Sequence, residues 1–126
     1  MAHILICEDD THLLDLLDLT LTLDGHDVET VTTGTDALHR LKEPAVDLVV
    51  LDIMLPGTDG LEILTQLRRT PHWRDAHVII LSALDSDHDI WQGWTRGTDY
   101  YLTKPFDPGH LSKIVRSLLI TGEIAT

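Results

Sequence analysis

The run VDLVVL at residues 46–51, followed at once by Asp52, is short, apolar and rich in β-branched side chains. Such a run reads as a strand buried on both faces, as in a parallel sheet covered by helices. HILIC at 3–7 and HVIIL at 77–81 have the same character. Shorter segments at 27–31 and 99–102, flanked by turns near Gly25, Gly34 and Gly97, bring the set to five strands. Segments of helical length lie between them. The clearest carries Leu111, Ile114, Val115, Leu118 and Leu119 at i, i+3, i+4, i+7, i+8 spacing. Residues 11–24 carry a mixed signal: Leu17, Leu19, Leu21 and Leu23 alternate like a strand, whereas Leu13, Leu16 and Leu17 fit a helix, which is the reading adopted. Strands separated by helices give parallel β-α-β units, so the fold class is a doubly wound α/β domain.

Composition narrows the function. At 126 residues the chain is one domain, and 43% hydrophobic with 24% charged residues is the composition of a folded protein. Nine Lys and Arg against 21 Asp and Glu leave a formal charge of -12, which repels phosphodiester backbones and suits a cation or a basic partner patch. Direct nucleic-acid binding by this chain is therefore not expected. No apolar run approaches the ~20 residues that cross a bilayer, and the N-terminus lacks a signal-like segment, so a cytoplasmic protein without membrane insertion is expected. Cys7, the single cysteine, lies in an apolar run and reads as a buried structural thiol. The eight histidines (His3, His12, His26, His39, His72, His77, His88 and His110) are scattered without ligand spacing and read as surface or satisfied residues.

In an open α/β sheet, ligands bind beyond the carboxyl ends of the strands where the strand order reverses. Glu8, Asp9 and Asp10 follow the first strand, Asp52 the third, Ser82 and Ala83 the fourth, and Thr103, Lys104, Pro105 and Phe106 the fifth. Each has an ordinary explanation alone: a solvated strand exit that caps the helix at Thr11, a turn-forming Asp, a hydroxyl N-cap, a surface lysine. Their joint occurrence at strand ends favours a functional set. Carboxylates forced together repel unless a cation neutralises them, and all-oxygen ligation suits Mg²⁺ or Mn²⁺ rather than zinc.

These residues resemble the receiver domains of two-component response regulators. The resemblance rests on ILICEDD at 4–10, DLVVLDIMLPGTDG at 47–60, VIILSA at 78–83 and DYYLTKPF at 99–106, and with the intervening helices it covers nearly the whole chain. It implies a flavodoxin-like five-stranded parallel sheet ordered 2-1-3-4-5 with five helices, spanning residues 1–121, with 122–126 a tail or the start of a linker. It further implies that Asp52 is the phosphoacceptor, that Glu8 and Asp9 hold Mg²⁺ with Asp52 and the backbone carbonyl of Met54, and that Ser82 hydrogen-bonds the phosphoryl group. Lys104 would be the counter-charge, placed by a cis Lys104-Pro105 bond, and Tyr101 the aromatic switch; Asp10 matches a variable position outside the metal shell. The implied donor is a histidine kinase or phosphotransfer protein. The readout is a partner-binding face of the fourth helix, fifth strand and fifth helix, engaging an output domain or protein as a monomer or phosphorylation-dependent dimer. Activity would be limited to self-phosphorylation and slow dephosphorylation.

Departures from the family pattern are informative. Where dimerising members carry charged residues on that face, this chain reads Asp99, Tyr100, His110 and Ile114, keeping one charge, which argues against that dimer. Two residues after Asp52 and after Ser82 stand apolar Met54 and Leu84, which predicts a long-lived phosphorylated form. Trp91 and Trp94 read as packing residues first and as partner contacts if exposed. A Mg²⁺-dependent phosphohydrolase would place a second Asp where Met54 stands. A flavodoxin-like cofactor site lacks its Gly-rich loop after the first strand, where three acids would repel an anionic cofactor.

Overall fold

β-Branched and aliphatic runs that are apolar on both faces are stable only inside a sheet sandwiched between helices, and the computed structural model, which describes residues 2–83 and 97–121, has that form. In chain order the elements are β1 (His3–Cys7), α1 (Thr11–Leu23), β2 (Asp27–Val31), α2 (Gly34–Arg40), β3 (Leu48–Asp52), α3 (Gly60–Arg69), β4 (His77–Ser82), β5 (Tyr100–Thr103) and α4 (Pro108–Thr121). All strand pairs are parallel, in the order β2-β1-β3-β4-β5, as expected. Four helices lie among the described residues. The fourth of the five expected helices, with Leu84, Trp91 and Trp94, falls on residues 84–96, outside them; α4 is the expected fifth.

Two strand starts differ from expectation, each because a polar side chain has taken over a backbone role. The third strand begins at Leu48 rather than Val46 because Asp47 bridges neighbours: its N–H donates to His3 O (2.9 Å), its carboxylate accepts from His3 N (2.8 Å), and its carbonyl accepts from His77 N (3.1 Å). The fifth begins at Tyr100 because the Asp99 carboxylate takes the Val78 N–H at 2.7 Å, closing the ladder early. At the other end β3 runs one residue further, so that Asp52 is itself a strand residue paired with Leu81.

The mixed leucine pattern of residues 11–24 resolves as a helix. Leu14, Leu17 and Leu21 are buried at i, i+3, i+7 while Leu16, Leu19 and Leu23 face solvent, so the alternation was a by-product of leucines on two faces. Asp10 is the N-cap, its carboxylate accepting from the N–H groups of His12 (3.0 Å) and Leu13 (3.3 Å).

The sheet divides the core in two. One face packs Leu5, Cys7, Val49, Leu51, Val78 and Ile80 against α2 and α3. The other packs Ile4, Ile6, Leu48, Val50, Ile79 and Leu81 against α1 and α4. Along β3 the alternation is strict, so both faces are sealed directly beneath Asp52. Trp73, in the connection from α3 to β4, is fully buried in the first core, with its indole N–H on Glu43 O (3.0 Å) and the Arg40 guanidinium 5.3 Å from its ring. No described helix is long and apolar enough to cross a membrane.

Cys7 is buried as expected, and its thiol is pushed up to about 12, first by burial and then by the nearby Asp52 charge. A thiol held above its ordinary value stays protonated at every pH below the shifted one, so raising the pH from 7 to 9 should not expose a thiolate. The folded protein is expected to show no reaction with a thiol-specific disulfide reagent across that range, and one reactive thiol per chain once unfolded in guanidinium. Labelling of the native protein at pH 8 would contradict this.

Candidate functional site

Parallel pairing in register aligns the carboxyl ends of the strands at one edge. Cys7 pairs with Leu51, Asp52 with Leu81 and Ser82 with Thr103, so whatever follows β1, β3, β4 and β5 meets there. Glu8 extends β1 by one step, its N–H still bonded to Val31 O at 3.1 Å. It is fully buried, Asp52 is 3% exposed, and Asp9 faces solvent. One carboxylate oxygen from each of Glu8, Asp9 and Asp52 lies within 4.8 Å of the others.

Lys104 reaches into this group from beyond β5. Its Nζ lies 2.6 Å from Asp52 Oδ2 and 2.7 Å from Glu8 Oε1. The Asp52 contact is a hydrogen bond; the Glu8 contact is an ion pair without hydrogen-bond alignment, which leaves Glu8 Oε1 without a hydrogen-bond partner. The stem of Lys104 is fixed by its N–H on Ser82 O at 2.6 Å, and the Lys104-Pro105 peptide is cis. The other oxygens are also engaged. Asp52 Oδ1 accepts from Met54 N–H (2.8 Å) and Glu8 Oε2 from Asp10 N–H (3.0 Å).

The charges do not balance. Three carboxylates face one ammonium, two of them shielded from water. Burial first, and then the neighbouring Asp52, push the Glu8 carboxyl up to about 7. Burial alone would lower the Lys104 ammonium; the adjacent Asp52 and Glu8 carboxylates outweigh that and hold it above the ordinary lysine range. An anionic, all-oxygen set with an unaligned buried carboxylate oxygen has the donor chemistry of a hard divalent cation. The residues present therefore fit Mg²⁺.

The remaining expected residues are placed as follows. Ser82 is fully buried as the last residue of β4. Tyr101 is half-buried against the α2–α3 side of the core. The Met54 side chain is 64% exposed, leaving its main chain next to the acids. Asp10 stands apart as the α1 cap, so the acid triplet divides between capping and clustering. Sequence reading did not anticipate that Lys104 is already paired with both Glu8 and Asp52; partners 96 and 52 residues away in the chain leave no local signal. On the β5–α4 face, Asp99 is held by Arg68 (3.3 Å), His110 lies edge-on to Tyr100, and Ile114 is buried. A cavity of about 820 Å³ opens at the opposite, amino-terminal edge between Ala2, Asp47, Ala76, His77 and Arg116, and touches none of the acid cluster.

Comparison with known proteins agrees with this geometry. A family model described as the response regulator receiver domain matches residues 4–116. The transcriptional regulatory protein AfsQ1 of Streptomyces coelicolor is 40% identical over 123 residues, covering 98% of this chain and 53% of that protein. The structure of the response regulator DrrB, an OmpR/PhoB homolog of Thermotoga maritima, superposes with a TM-score of 0.85 at 34% identity, over 98% of this chain and 55% of that one. The response regulator TrrA of the same organism, solved with Mg²⁺-BeF, gives 0.81 at 31% identity, over 94% and 99% of the two chains. The chain spans about half the length of the curated relatives it matches.

Proposed function

The chain belongs to the response regulator receiver domains of two-component signalling, and from that membership we propose that it accepts a phosphoryl group on Asp52 from a histidine kinase or phosphotransfer protein. A receiver domain is a signalling switch. The observation that carries the reading is the junction of Glu8, Asp9, Asp52 and Lys104 at one strand edge, with one oxygen of each acid within 4.8 Å of the others and the ammonium paired with Glu8 and Asp52.

Each residue has a role that follows from its position. Asp52 is the nucleophile: one carboxylate oxygen attacks the donor phosphorus, the bond from phosphorus to the donor nitrogen or oxygen breaks, and the leaving group keeps that electron pair. Glu8, Asp9, Asp52 and the Met54 carbonyl would hold Mg²⁺, whose positive charge, when bound, offsets the anionic donor approaching an anionic nucleophile. Lys104 neutralises the oxygen of Asp52 that it already touches and then the new phosphoryl oxygens. Ser82, at the end of the adjoining strand, would donate its hydroxyl to the phosphoryl group. Withdrawing that hydroxyl from its resting place opens room for Tyr101, and this biases the face formed by the segment before β5, β5 itself and α4 toward a downstream output partner. With Asp99, His110 and Ile114 engaged within the fold, the monomer is the resting state proposed here.

The test is intact-mass spectrometry after incubation with a small acyl phosphate. The gain of one phosphoryl group is expected with Mg²⁺ and its absence in excess chelator. Equal phosphorylation in chelator would overturn the cation role. The exposed, apolar Met54 offers no group to orient water toward the acyl phosphate. Met54→Asn is expected to shorten the lifetime of the phosphorylated protein by less than the ~10²-fold of a full general base, because an amide orients water without taking its proton. Decay no faster than wild type would remove that role from position 54.

A further inference from the structure

We propose that Gly34, at the start of α2 and outside the acid cluster, is a positioning residue for the cation site, acting through the loop that carries Met54; the proposal rests on the cation reading above. This loop leaves β3 directly after Asp52. Its ends are tied to the site and to α3: Ile53 N–H donates to Leu81 O (3.0 Å), Met54 N–H to Asp52 Oδ1 (2.8 Å), and Gly60 N–H to Ile53 O (3.3 Å). Its exposed middle rests on α2, where Gly34 N–H donates to Pro56 O at 2.7 Å.

The contact is made by two facing glycine-bearing segments. Gly57 has φ +98°, a left-handed conformation that side chains disfavour, and a Cβ there would also stand 2.9 Å from Thr35 Oγ1. A Cβ on Gly34 would fall 2.2 Å from Thr58 Cγ2, 3.0 Å from Thr58 N and 3.1 Å from Thr58 O. Rotating the threonine side chain relieves the first clash and leaves the two backbone contacts. One backbone must therefore move, and α2 is the better anchored, with Ala37 and Leu41 buried in the core. The shift falls on residues 56–58. Only Leu55 stands between Pro56 and Met54, so a shift of the Pro56 backbone reaches the Met54 peptide within two planar peptide units. A methyl group at 34 thus displaces the Met54 peptide, which both bonds Asp52 and supplies the carbonyl assigned to the cation. Supports of this kind commonly tune metal affinity without touching the ion.

Calorimetric titration with Mg²⁺ tests this on the full chain, alongside the Mg²⁺-dependent rise in unfolding midpoint. Gly34→Ala is expected to weaken Mg²⁺ binding roughly tenfold. Ala37→Gly, which destabilises the same helix and adds no atom against the loop, should leave affinity within about twofold of wild type. Unchanged affinity in Gly34→Ala, or an equal loss in Ala37→Gly, would overturn the positioning role. If Gly34→Ala does not fold, Thr58→Gly asks the same question by slackening the contact: about threefold weaker binding is expected, and unchanged affinity overturns the role. Wild-type protein that binds no Mg²⁺ would instead refute the cation reading itself.

Discussion

Asp52→Asn is expected to lose phosphorylation by at least about 10³-fold, the scale of removing a nucleophile, while keeping the fold intact. The amide has the shape of the carboxylate, and its oxygen can still accept the Met54 N–H that Asp52 Oδ1 now holds at 2.8 Å. Asparagine lacks the ionised oxygen that would attack phosphorus. Stability should not suffer, because the substitution removes one of two buried carboxylates that share a single ammonium and leaves Lys104 paired with Glu8. Intact-mass spectrometry in Mg²⁺ and acyl phosphate, with thermal unfolding on the same sample, checks both parts. A phosphoryl adduct on Asp52→Asn at the wild-type rate would move the acceptor elsewhere.

Trp73→Ala is expected to do the opposite, lowering stability by ~3–5 kcal/mol while sparing the chemistry. Trp73 is fully buried between α2, α3 and the sheet, and its truncation removes a large apolar contact, the hydrogen bond to Glu43 O and the stacking partner of Arg40. A typical domain is stable by only about 5–15 kcal/mol, so the loss is a large fraction of the whole. Urea unfolding should show a lower midpoint with an unchanged slope. Trp73 precedes β4 at the amino-terminal edge of the sheet, away from the acids, so folded Trp73→Ala should still accept one phosphoryl group. A loss under ~1 kcal/mol would show that the site collapses around the smaller side chain. Together the two variants separate the chemical edge of the sheet from the edge that holds it closed.

The strand runs were legible because burial on both faces leaves a continuous apolar signature, and the α4 stripe because its burial is one-sided. The edges were less so. Strand limits at Asp47 and Asp99 moved because side-chain carboxylates replaced ladder bonds, a substitution that hydropathy does not record. The leucine alternation of α1 suggested two periods at once, and packing of Leu14, Leu17 and Leu21 decided between them. Trp73 carried no readable signal, since one aromatic residue in a connection can be a surface or a core residue with equal ease.

By itself the sequence determined the class of the fold, its five strands, and the acids, hydroxyl and lysine that end them, because these depend on residue type and on position relative to apolar runs. Three-dimensional packing decided the rest. Parallel register brought the Lys104 ammonium to within 2.7 Å of both Glu8 and Asp52, although 96 residues of chain separate it from Glu8. It also split the acid triplet, burying Glu8, leaving Asp9 exposed and turning Asp10 into a helix cap. Burial then raised the Glu8 carboxyl to about 7, a property of its surroundings that no residue type carries alone. Desolvation and Coulomb attraction depend on what lies around a group in space, and that is known only once the chain has folded.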